Sequence, residues 1–127
     1  MSSHPTTTTH PFTISFTDAV TEPGWNFGHS TFRPELCHVA INDKIAFKFE
    51  YMGMLPASTI VSPVLVVAPL PSPFVEGNII CLKEHPTVTI GTKKGEWQFC
   101  LVFGVRSPEG DIRFHYLPDP ELQVGST

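Results

Sequence analysis

The sequence predicts an all-β fold: an antiparallel two-sheet β-sandwich of about seven to nine strands, immunoglobulin-like or jelly-roll-like. Three observations carry that prediction. Apolar residues recur at period two in one segment after another, the side-chain alternation of a strand. Thirteen prolines and nine glycines in 127 residues argue against long helices, because each internal proline removes a donor and clashes with the preceding turn. No segment reads as a helix, so two stacked sheets are the economical way to bury the apolar faces.

Residues 1–9 are Ser/Thr-rich and low in complexity. They read as a disordered tail, with one sandwich domain over residues 10–127. Residues 10–17 alternate, Phe12, Ile14 and Phe16 on one face and Thr13, Ser15 and Thr17 on the other, which makes a half-buried first strand. Pro23-Gly24 is turn punctuation. Residues 36–41 and 45–51 suggest a hairpin around Asn42-Asp43. A three-residue loop sets Cys37, Val39 and Ile41 opposite Phe49, Phe47 and Ile45, the register that gathers apolar residues on one face.

Residues 60–68 are β-branched enough for a strand, which Pro63 confines to an edge or a bulge. Pro69, Pro71 and Pro73 mark a stiff connection, and residues 78–82 and 87–90 are short strands. The longest alternation is residues 95–105. Trp97, Phe99, Leu101, Phe103 and Val105 form one continuous apolar face. Ser107-Pro108-Glu109-Gly110 then turns the chain, Pro108 presetting φ and Gly110 taking the left-handed position of a bulged hairpin. Ile112, Phe114 and Tyr116 return on one face and Asp111, Arg113 and His115 on the other, with the core expected against this hairpin. Residues 121–124 read as a last edge strand.

Composition excludes several roles. Charged residues make up 16% and the net charge is −4, with no basic stripe beyond Lys93-Lys94, so nucleic acid and anionic membranes are not expected partners. No apolar run approaches the roughly 20 residues that span a bilayer. The first ten residues carry neither a basic segment nor an apolar core, so no secretory signal is expected. Cys37, Cys81 and Cys100 are an odd number in strand-like apolar contexts. They read as buried free thiols in a reducing, cytoplasmic compartment.

No metal or cofactor is expected. Cys37-His38, Cys81 with His85, and Cys100 match no zinc spacing. Blue copper needs a Cys, His and Met cluster, and no methionine follows Cys100. A Ser30, His29, Asp18 triad can be assembled on paper, but no nucleophile-elbow pattern accompanies it. A small hydrolase is therefore a second alternative only.

The stretch around Trp25 is the candidate ligand site. Trp25 and His29 follow the Pro-Gly turn at even spacing, with Asp18, Glu22 and Asn26 nearby. An aromatic platform beside donors and acceptors is what a sugar face requires, so a lectin-like, carbohydrate-binding module is the first alternative. The competing reading places Trp25 and Phe27 in the core as ordinary strand aromatics.

The carboxyl-terminal run from Trp97 through Phe103, followed by Phe114, Tyr116, Asp119-Pro120, Leu122 and Val124, resembles the AidA/PixA-type inclusion-body proteins. The segment Ile41-Asn42-Asp43-Lys44-Ile45 is similar to their central turn, with Asn42 in place of a glycine. The resemblance implies a non-catalytic β-sandwich that accumulates, self-associates or binds a ligand, and it carries no functional residues with it. From the residues themselves, a partner is expected in the chain itself. Residues 122–124 lack a lysine and offer an edge for a twofold dimer.

Overall fold

Ten strands account for the regular structure in the computed structural model, which describes residues 7–17, 24–27, 36–53, 57–117 and 120–125. They are β1 (Thr9–Phe16), β2 (Gly24–Phe27), β3 (Leu36–Val39), β4 (Lys44–Tyr51), β5 (Thr59–Ala68), β6 (Ile79–Cys81), β7 (Thr87–Thr89), β8 (Gly95–Arg106), β9 (Ile112–Leu117) and β10 (Glu121–Val124). Two sheets result. The smaller runs β2-β1-β4-β7, and the larger runs β3-β10-β8-β5-β6 with β9 also paired to β8.

The all-β, two-sheet prediction holds, with ten strands among the described residues rather than seven to nine. The sheets are not purely antiparallel. β1 lies parallel to β4, and β3 lies parallel to β10. Both parallel pairs arise because the chain changes sheet between the paired strands, which a crossover permits and a tight hairpin does not.

The expected hairpin at residues 36–51 is replaced by such a crossover. β3 belongs to the larger sheet and β4 to the smaller. Cys37 and Val39 are buried, as are Ile45 and Phe47, so the apolar residues belong to one core from opposite sheets. Asp43 holds the crossing in place. Its Oδ1 accepts from the Thr8 N–H at 3.1 Å, and its Oδ2 from the Ala40 N–H at 3.0 Å and from His10 Nε2 at 2.9 Å. The Asn42 N–H donates to the Ile90 carbonyl at 3.1 Å, with Asn42 in the left-handed region at φ 69°. Thr8 and Thr9, assigned to the tail from sequence, are therefore held at the start of β1.

The core forms between the sheets. Phe12 and Phe47 of the smaller sheet meet Phe99 of the larger at 5.6 and 6.3 Å between ring centroids, and Phe49 meets Phe103 at 5.1 Å. Edge-on rings at these distances suit the aromatic quadrupole. Trp97, Phe99, Leu101, Phe103 and Val105 are all buried, as their alternation predicts. Cys37 is buried as well, and that burial pushes its thiol up to about 12.

β5 resolves the proline at position 63. It is an internal strand, between β8 and β6, and its pairing with β8 shifts between Val61 and Val64. Ser62 and Pro63 together oppose the single residue Phe103, a β-bulge in which the missing Pro63 donor costs no ladder bond.

β10 is not an edge. Leu122 lies opposite Trp97 of β8 on one side and Cys37 of β3 on the other. The open edge expected at residues 122–124 for a twofold dimer is therefore occupied by β8 and β3.

Candidate functional site

Of the residues singled out around Trp25, the structure describes Trp25 and the backbone of Asn26. Trp25 lies on β2, paired with Ile14. Its ring is half-buried and stacks on Phe12 at 5.0 Å with the planes 8° apart. One ring face is therefore committed to the core. The Asn26 backbone continues β2 opposite Thr13. Asp18, Glu22 and His29 lie outside the described residues, as does Ser30.

A different surface stands out, the outer face of the larger sheet, and the hairpin turn determines it. Gly110 takes φ 99°, its N–H donates to the Ser107 carbonyl at 2.9 Å, and the Ser107 N–H donates to the Asp111 carbonyl at 2.7 Å. The bulged turn forms as its residues predict. It closes with Arg106 opposite Ile112, so that Phe103 lies opposite His115 and Gly104 opposite Phe114. Side chains at facing positions share a face. Ile112, Phe114 and Tyr116 thus point away from the core, and His115 turns inward against Phe103 at 6.0 Å. The more apolar set of β9 is thus the outward one.

The register writes out the face row by row. Phe114, Gly104 and Val61 form one row; Tyr116, Val102, Val64 and Cys81 form the next; Cys100, Val66 and Ile79 form a third. None of these residues is charged. Phe114 is 66% exposed, Tyr116 64%, Ile79 67% and Ile112 42%. Gly104 allows the first row to close up. A Cβ there would come within 2.6 Å of Val61 Cγ2 and 3.1 Å of the Phe114 ring. A hollow of about 300 Å³ opens beside Tyr116, floored by Val66, Ala68 and Cys100.

β9 is also an edge. Among the described residues it pairs with β8 alone, because β10 takes over the same side of β8 from Gln98 to Gly95. Sequence reasoning found the alternation of β9 but not which of its faces turns inward. The missing signal was the loop length, whose odd number of residues decides which set turns inward.

Among the described residues no three His, Cys, Asp or Glu side chains converge on a point where a metal would sit. None of the three cysteines, all of them described, forms a disulfide. Cys37 is buried as expected, but Cys81 is exposed and Cys100 half-buried, both on the outer face rather than in the core. No described helix is long and apolar enough to cross a membrane. No known family model matches the chain, and no curated protein matches its sequence.

Proposed function

We propose that the protein acts by binding rather than catalysis, and that it self-associates through the outer face of the larger sheet around β9. The exposure of Phe114 and Tyr116 among uncharged neighbours, beside a strand edge with no described partner, carries this reading. With about 200 Å² for a whole aromatic side chain, the two rings leave roughly 260 Å² in water. Ile79, Ile112 and Val102 bring the face to roughly 500 Å², the size of the largest apolar patch on a typical monomer, which is often functional. With the rim of β9 added, it reaches the order of the roughly 800 Å² per partner of a standard interface.

A second copy is the occupant that fits best. The uncharged rows are their own complement under a twofold axis, with Arg106 at their end opposite Ile112. Antiparallel pairing of two β9 edges would bring the two faces side by side and remove the exposed edge. The resemblance to inclusion-body proteins supports the same reading. Three cysteines without a disulfide suit a reducing, cytoplasmic setting. Carbohydrate binding at Trp25, the alternative reading, would use the ring face that Phe12 leaves uncovered.

Light scattering coupled to gel filtration tests the proposal. The wild-type chain is expected at about twice 14.0 kDa, and Phe114→Glu, which sets two carboxylates against each other across the axis, at the monomer mass. A wild-type protein that stays monomeric as its concentration rises overturns it.

A further inference from the structure

A second concavity lies on the flank of the sandwich where β4 and β5 are left uncovered, and its chemistry is different. β7 pairs with β4 only from Lys44 to Ala46, and β6 with β5 only from Val64 to Val66. Beyond those points neither β4 nor β5 has a described outer neighbour, so the space between the sheets opens at this flank. The loop joining β6 to β7 spans the gap. The Leu82 N–H donates to the Pro63 carbonyl of β5 at 3.0 Å, and the Phe47 N–H of β4 donates to the Pro86 carbonyl at 2.8 Å. The loop is thus anchored to both sheets, and beneath it is a cavity of about 670 Å³.

Phe47, Phe49, Ile60 and Leu82 give this cavity an apolar interior, with Val61, Val64 and Cys81 of the outer face along its rim. The charged residues on its wall are Lys83, on the bridging loop, and Arg106, at the end of β8. Both side chains are exposed and cationic, in a chain whose net charge is −4. An apolar interior of this volume with a few charged groups at its mouth is the usual form of a small-molecule site. A long-chain alcohol would leave the two cations unused, and a cationic amphiphile would be repelled by them. We infer that this flank cavity binds an amphipathic anion, an aliphatic tail between the sheets and a carboxylate or sulfate head at Lys83 and Arg106.

The guanidinium of Arg106 suits an oxyanion head because it donates two parallel hydrogen bonds, while Lys83 adds a point charge on a flexible stem. Each methylene drawn into the cavity adds up to about fourfold in affinity, so binding should rise from octanoate to dodecanoate.

Isothermal titration with dodecanoate, below its micellar concentration, is the test. The expected result is binding of one dodecanoate per chain and roughly tenfold weaker binding by the Lys83→Ala/Arg106→Ala variant, whose exposed substitutions leave the core intact. Dodecyltrimethylammonium is expected not to bind. Cys81 lies at the rim of the same cavity, so dodecanoate should slow its alkylation. That measurement belongs on the Phe114→Glu chain, where self-association does not shield the outer face. Equal binding of both amphiphiles, unchanged affinity in the double variant, or no binding at all overturns the inference. Loss of binding in Phe114→Glu also overturns it, because the ligand would then sit on the β9 face. Self-association is read separately by mass, so either proposal can fail while the other stands.

Discussion

Asp43 is the residue with the most consequence for its size. Burial works to raise its carboxyl, but the His10 hydrogen bond, the Ala40 and Thr8 N–H donors and the attraction of the His10 charge together outweigh it. The group is held below the usual carboxylate value of 3.8. A depressed folded-state value means that the stabilisation is present above the unfolded value and is lost as pH falls through the folded one. Stability is therefore expected to drop at pH below about 3.8 more steeply in the wild-type chain than in Asp43→Ala. At neutral pH Asp43→Ala leaves two backbone donors without their acceptor and should cost about 1–3 kcal/mol. Urea unfolding of both chains at pH 7 and pH 3 checks the magnitude and the sign.

At the scale of the element, β8 and β9 make a paired test of orientation. Phe103 is fully buried and faces Phe49 across the core, so Phe103→Ala should cost about 3–5 kcal/mol. Phe114 lies one residue pair further along the same ladder but on the outer face, 66% exposed. Phe114→Ala should change monomer stability by within about 1 kcal/mol, the range of an ordinary surface substitution. Denaturant unfolding at low protein concentration separates the two. Comparable costs would mean that β9 faces the core.

At the scale of the whole molecule, the closing strand ties the sheet together. β10 is the one described neighbour of β3, and its Leu122 and Val124 are each 1% exposed. A chain ending after Pro120 is therefore expected to lose the cooperative fold, not merely an association surface. Circular dichroism should show no sharp thermal transition for it. A truncated chain that melts cooperatively near the wild-type temperature would contradict the placement of β10 inside the sheet.

Local chemistry alone made much of this legible. The period of two in residues 12–16 and 97–105 marked the buried faces of β1 and β8, because alternation and burial are the same fact in a strand. The Ser107 to Gly110 turn formed as read, since proline and glycine fix φ without help from elsewhere, and Pro63 announced the bulge in β5. Only the tertiary structure decided which strands were neighbours. Whether residues 36–51 fold as a hairpin or cross between sheets depends on Asp43 reaching Thr8 and His10, more than thirty residues away. Whether Phe114 and Tyr116 face the core or the solvent depends on the register set by one turn. The flank cavity exists because β6 stops short of covering β5, and β7 of covering β4. Alternation says that a strand has two faces. Which face is inside is a property of its partners, and the sequence of the strand does not contain them.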